Sequence, residues 1–221
     1  MTELTAPVRI LAAADIHGIL SVYEWLVEMT AEHQADLMIL AGDLFAADRE
    51  DEQRKQAEKI ISLLVSGASP CFYIMGNDDN VSLDYEDQRI RPLHGRRLSF
   101  GALNFVGYEY TPPFVGTVFV KTEIEIEKDL NSLRSLLDSR TVFVTHSPAY
   151  ESLDRTYSGE HVGSPSLATM LSREPVLGHI HGHVHESFGR DGVHFNVASA
   201  GLRRAILIDL PSLRHEVLAA E

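Results

Sequence analysis

Five apolar runs in this chain each lead into a short polar cluster. VRILAAAD (8–15) runs into Asp15-Ile16-His17, ADLMILAGD (35–43) ends in Gly42-Asp43, and PCFYIMGNDD (70–79) ends in Gly76-Asn77-Asp78-Asp79. TVFVTHSP (141–148) carries Thr145-His146, and PVLGHIHGHVHES carries four histidines. The runs read as buried strands. Between the first three lie helix-like segments, from about Ser21 to His33 and over 48–67, the second charged at first, then periodic, and closed by Gly67. Strand and helix in alternation imply βαβ crossovers and parallel pairing. In such sheets ligands collect beyond the carboxyl ends of the strands. The five polar ends can therefore meet in one site although they are scattered in sequence.

The second half has a different texture. RRLSFGALNFVGYEY (96–110) reads as an antiparallel hairpin with a glycine turn, followed by a polar loop with Thr111-Pro112-Pro113. A helix over 123–138 leads to the strand at 141–148, and another from about Pro165 to Ser172 precedes the histidine run. Strands at 192–199 and 204–210 close the chain. There is no repeat, low-complexity tract or linker, and 221 residues suit one domain, 1–221, with a real core.

Composition narrows the partners. The 44% hydrophobic and 23% charged fractions are those of an ordinary soluble globular protein. No apolar run approaches the ~20 residues that span a bilayer. The opening MTELTAPVRI lacks the basic and apolar regions of a secretory signal, and the one cysteine, Cys71 in CFYIM, reads as a buried thiol. By elimination the expected location is cytoplasmic. A net charge of −13 argues against tight nonspecific binding to duplex nucleic acid, and with no spanning run no membrane partner is expected. A phosphate-handling enzyme of that charge needs local positive charge at its site, and bound metal is one source.

The polar clusters have coherent chemistry. Asp15 and His17, two residues apart, can both reach one ion where a strand opens into a loop. The glycines before Asp43 and Asn77 permit close backbone approach. Mixed imidazole and carboxylate ligands suit Mn²⁺, Fe²⁺ or Zn²⁺ better than Ca²⁺. The ligands suffice for two ions sharing a carboxylate. Any one cluster alone is weak, because Asp at a strand end is usually a turn or helix cap.

Taken in order, DIH, GD, GND, TH and GHVH span residues 15 to 185, and this order resembles the signature of the calcineurin-like metallophosphoesterases. The resemblance implies an α/β fold in which two mixed β-sheets pack as a sandwich flanked by helices. It implies hydrolysis of a small phosphate ester by a hydroxide that two divalent ions activate, with Mn²⁺ expected and Fe²⁺, Zn²⁺ or Ni²⁺ as alternatives. Carried over by residue, Asp15, His17, Asp43 and His185 would hold one ion. Asp43, Asn77, His146 and His183 would hold the other, with Asp43 bridging. Asp43, Asn77, Asp78 and His146 form the expected catalytic set, and Asn77 also meets the substrate.

Two features need weighing beside the resemblance. Many of the family have GNH where this chain has GND, so Asp78 stands in place of a histidine thought to protonate the leaving group. A carboxylate there opposes a phosphate dianion more than a singly charged diester, which favours phosphodiesters. The motif Gly-His-x-His also occurs twice, at 178–181 and 182–185. A strand through Ile180 puts the second copy at its exit, so His183 and His185 are the expected ligands, with His179 and His181 on one strand face as core histidines or supporting donors. His161, or the helix start at Gly163-Ser164, is a candidate substrate contact. His33, His94, His194 and His215 are expected on solvated faces or turns. The rival readings are a non-catalytic interaction scaffold on the same fold and a nuclease.

Overall fold

In the computed structural model of the chain, residues 7–46, 49–83, 88–114 and 118–220 are described. Asp48, the expected start of the second helix, and parts of the loops at 79–95 and 108–117 lie outside them.

The first half builds β1 (Val8–Ala13), α1 (Leu20–Glu32), β2 (Leu37–Ala41), α2 (Glu50–Ser66), β3 (Cys71–Ile74) and β4 (Ile90–Pro92). The four strands pair in parallel, as the strand–helix alternation predicts. Glu50, Asp51 and Glu52 in the first turn of α2 complement its dipole, and Gly67 follows its last residue. The second half adds β5 (Arg97–Phe100), β6 (Leu103–Tyr108), α3 (Glu123–Leu133), β7 (Thr141–Thr145), α4 (Pro165–Arg173) and β8 (Gly178–His181). β5 and β6 form the expected antiparallel hairpin, and β6, β7 and β8 are parallel. Helix α3 starts on a Thr122/Glu125 capping box and tightens to a 3₁₀ turn at Arg134–Leu136, short of the expected end at 138. The chain closes with β9 (Gly189–Asp191), β10 (His194–Asn196), β11 (Arg204–Leu210) and β12 (Arg214–Ala219).

Two mixed six-stranded sheets result, ordered β12-β11-β1-β2-β3-β4 and β5-β6-β7-β8-β10-β9. Alternate residues of each strand serve two cores. Ile10, Ala12, Ile39 and Phe72 meet Phe105, Val142, Ile180 and Phe195 between the sheets. Leu11, Ala13, Met38 and Leu40 face Trp25, Leu26, Ile60 and Leu64 beneath α1 and α2. Val106 and Phe143 lie under Ile126 and Leu130 of α3 and Leu167 and Met170 of α4. The central strands are thus buried on both faces, which is why their sequences are apolar throughout rather than alternating. Cys71 is buried and unpaired, as expected. Among the described residues no helix is long and apolar enough to cross a membrane.

Candidate metal centre

The carboxyl ends of β1, β2, β3, β7 and β8 meet at one rim. Each delivers its polar residues through a sharp turn. Asp15, His17, Asp43 and His183 all have positive φ, between 49° and 71°. Non-glycine residues rarely adopt that conformation, and strain of this kind gathers at functional sites. The Asp15 carboxylate accepts from the His183 N–H at 2.9 Å, which ties the end of β1 to the exit of β8. His185 Nε2 lies 3.3 Å from Asp15 Oδ1 and 3.5 Å from His17 Nε2. Asp43 Oδ2 lies 3.4 Å from His146 Nε2, while Asp43 Oδ1 accepts the Asp78 N–H at 2.9 Å. Asn77 Oδ1 is 3.0 Å from that same His146 nitrogen.

These contacts define three overlapping groups whose ligand atoms lie within 4.8 Å of one another: Asp15/His17/His185, Asp15/Asp43/His146 and His17/Asp43/Asp78. Asp43 belongs to two of them. The donor set fits divalent cations. The buried Nε2 of His183 has no hydrogen-bond partner and His183 lines the cavity above the cluster, whereas His181, whose Nε2 is likewise unpartnered, does not line it. Burial holds the His183 imidazole down to about 4, hence neutral as a ligand must be. Burial also opposes ionisation of Asp43, but neighbouring His146 outweighs it and holds the carboxyl well below its usual range. In return Asp43 raises His146 to about 10 against burial. A hydrogen bond to Asp15 raises His185.

The repeated motif resolves into two environments. β8 covers the first copy, and His179 and His181 lie fully buried on one face with their rings stacked at 5.0 Å. His179 Nε2 reaches Thr145 Oγ1 at 2.8 Å, and its Nδ1 reaches His194 Nδ1 at 2.9 Å. The second copy falls at the strand exit, and His183 and His185 line the cavity above the cluster with His17, Asp43 and Asn77. The two glycines differ accordingly. A side chain on Gly182 would collide with the Asp15 carboxylate and Ala14 Cβ, whereas one on Gly178 would meet Leu213 Cδ2 at 3.4 Å and the Val193 carbonyl at 3.8 Å.

Supporting residues that sequence reasoning left without a role surround the cluster. Asp79 is fully buried and accepts the N–H groups of Leu44, Phe45 and Gly76, clamping the turn after β2 to the turn after β3. Gln53 of α2 donates to Ala46 and Asp78 carbonyls and accepts the Asn80 N–H. Arg204 donates to the carbonyls of Ala198 and His185. Only the spacing GNDD hinted at the first, and nothing in the sequence marks the other two.

The cavity measures about 420 Å³ and is lined also by Asp78, Phe114, Thr156, Tyr157, Ser158, Val184 and Glu186. Asp78 faces it, with His17 Nδ1 3.7 Å from its Oδ2 and the Asn77 amide donating to its Oδ1. His161 is not among the lining residues. It pairs with Asp154 at 2.5 Å and packs on Tyr150, bracing the loop that carries residues 156–158 to the rim. The start of α4 is likewise engaged: Gly163 N–H bonds Asp154, and Ser166 N–H bonds the Glu123 carboxylate, so these donors are already satisfied. Of the histidines expected on solvated faces or turns, His215 is exposed and His33 lies in the turn after α1, but His94 and His194 are half-buried. His94 packs against Tyr108 and Tyr110, and His194 bonds His179.

A two-sheet α/β sandwich with carboxylates, imidazoles and an amide gathered at its strand ends defines a protein of the metallophosphoesterase fold. Residues 8–187 match the calcineurin-like phosphoesterases, and the chain belongs to that family. No curated protein matches it in sequence. Among solved structures it is similar to TT1561 of Thermus thermophilus, at 17% identity and TM-score 0.77 over 97% of this chain and 99% of that one. It is also similar to a dimetal phosphatase from Danio rerio, at 11% identity and TM-score 0.59, covering 97% and 99%. A novel archaeal phosphodiesterase follows at 13% identity and TM-score 0.52, covering 96% and 99%. At these identities the likeness is one of fold.

Proposed function

We propose that this chain is a dinuclear metal-dependent phosphoesterase that prefers phosphodiesters. The observation that carries the reading is the gathering of Asp15, His17, Asp43, Asp78, His146 and His185 at one rim in three overlapping groups, two of which contain Asp43. Asp15, His17, Asp43 and His185 would hold one ion, and Asp43, Asn77, His146 and His183 the other. When bound, two divalent ions, Mn²⁺ in this reading, supply a hydroxide nucleophile at neutral pH and offset charge on the phosphate.

The protein groups orient and discriminate. Asp43 stands between the two ligand groups and fixes the turn at Asp78 through its N–H. Asn77 offers a neutral oxygen towards the centre, and its amide nitrogen, bonded to Asp78 at 3.2 Å, keeps a second hydrogen for a phosphate oxygen. Asp78 faces the space above. Its carboxylate opposes a doubly charged monoester more than a singly charged diester. His161 acts indirectly, holding with Asp154 the loop that brings Thr156 and Ser158 to the rim.

Hydrolysis of bis-p-nitrophenyl phosphate with added Mn²⁺, and its loss on chelation, tests the reading. We expect turnover that returns with the metal, and a higher kcat/KM for the diester than for p-nitrophenyl phosphate. Stoichiometric metal binding without turnover of either ester would favour a scaffold on the same fold.

A further inference from the structure

Two aromatic side chains stand exposed over the candidate centre. Tyr157 is 91% exposed and Phe114 55%, yet both line the same cavity as His17, Asp43 and His183. They come from different loops, after β6 and after β7. Neither is loosely placed. The Phe114 ring meets the His183 imidazole edge to face at 6.2 Å. Tyr157 sits at the tip of a tight loop in which Thr156 N–H bonds the Glu160 carbonyl at 3.0 Å and Gly159 N–H bonds the Thr156 carbonyl at 2.9 Å. Ser187, two residues past His185, donates to the Arg155 carbonyl at 2.8 Å and ties this loop to the floor of the cavity.

Large aromatic faces left in water beside a concave polar site mark the place of an apolar part of a ligand. Resting on the phosphoester reading, we propose that Phe114 and Tyr157 select substrates in which one ester group carries a planar ring, an aryl group or a nucleobase. With the phosphate at the strand ends, the ester group must leave through the rim that these rings form. Besides them, Val184 is the one apolar residue among the described lining. The cavity of about 420 Å³ has room for a ring-sized group. Asp78 and Glu186 on the lining oppose an extended polyanion.

Calorimetric titration of the Mn²⁺-loaded protein with phenylphosphonate, methylphosphonate and hexylphosphonate tests this without turnover. The three share one charged group, so its repulsion by Asp78 cancels in the ratios. Phenylphosphonate should bind about tenfold more tightly than methylphosphonate, the scale of one ring stacked on an aromatic side chain. Phe114→Leu and Tyr157→Leu should each reduce that ratio by roughly threefold or more. Hexylphosphonate binding as tightly as phenylphosphonate, or ratios unchanged in both variants, would overturn the assignment while leaving the phosphoester reading intact. Failure of all three phosphonates to bind the metal-loaded protein would overturn the ring assignment, and the phosphoester reading with it if bis-p-nitrophenyl phosphate is not turned over either.

Discussion

Gly182 lies so close to the Asp15 carboxylate that no side chain fits between them, while its counterpart Gly178 has ordinary room. The difference separates two copies of one motif that look alike in sequence. Gly182→Ala should therefore deplete bound metal severely in protein that still folds, and Gly178→Ala should leave it near wild type; metal analysis after gel filtration compares them. Equal loss in both would mean that packing rather than the ligand pocket demands the glycines. Asp78 and Asp79 make a second contrast. One faces the cavity and the other is sealed against three backbone N–H groups, a distinction marked by resemblance to the family's GNH and by no local pattern. For Asp78, two unit charges at ~4 Å and an effective dielectric of 20 interact by about 4 kcal/mol, reduced here by His17 and the Asn77 amide. A quarter of that is about fivefold in rate. Asp78→His should thus raise kcat/KM for p-nitrophenyl phosphate several-fold relative to the bis-ester, also supplying a proton donor. An unchanged ratio would remove the physical basis of the diester preference.

Among the elements, β8 and β10 hold the most unusual feature, a buried imidazole pair. The Thr145 hydroxyl is committed to the Ser147 carbonyl at 2.5 Å, so His179 must donate to it through Nε2 and accept from His194 through Nδ1. Burial, then its neighbours His181 and His194, hold His179 well below its ordinary value of 6.5. A histidine lowered on folding binds its proton only in the unfolded chain. Its contribution is complete above pH ~6.5 and is lost as pH falls below that, by up to about 1.4 kcal/mol per pH unit. His179→Gln keeps a donor for Thr145 without the titration. In urea unfolding of chelator-treated protein, the stability advantage of wild type over this variant should shrink by about 1 kcal/mol per pH unit from pH 6 to pH 5. A constant gap would show that His179 is not held neutral. The long apolar strands and the four helices were legible because burial on both faces and helical periodicity leave local marks. β4 and β9, three residues each, and β12, a mostly exposed edge, leave none.

On the scale of the whole molecule, pairing over long range escapes local patterns. β11 lies against β1 with Arg9 bonded to Asp209, 200 residues away, and nothing near either residue announces the other. The two-sheet sandwich was legible through resemblance to a family rather than through periodicity. The site was legible for a different reason. Each candidate ligand sits where an apolar run stops, so the parallel strands carry their order in sequence into proximity in space. His161 broke that rule, being in mid-loop, and it lies outside the cavity. Asp43, which belongs to two of the three ligand groups, is the residue proposed to bridge the ions. Metal content per chain, measured by elemental analysis on wild type and on Asp43→Asn with matched circular dichroism, tests it directly. Two ions per wild-type chain, with at least one lost from the variant together with hydrolysis, is the predicted result. A folded Asp43→Asn protein that keeps two ions and normal turnover would contradict it.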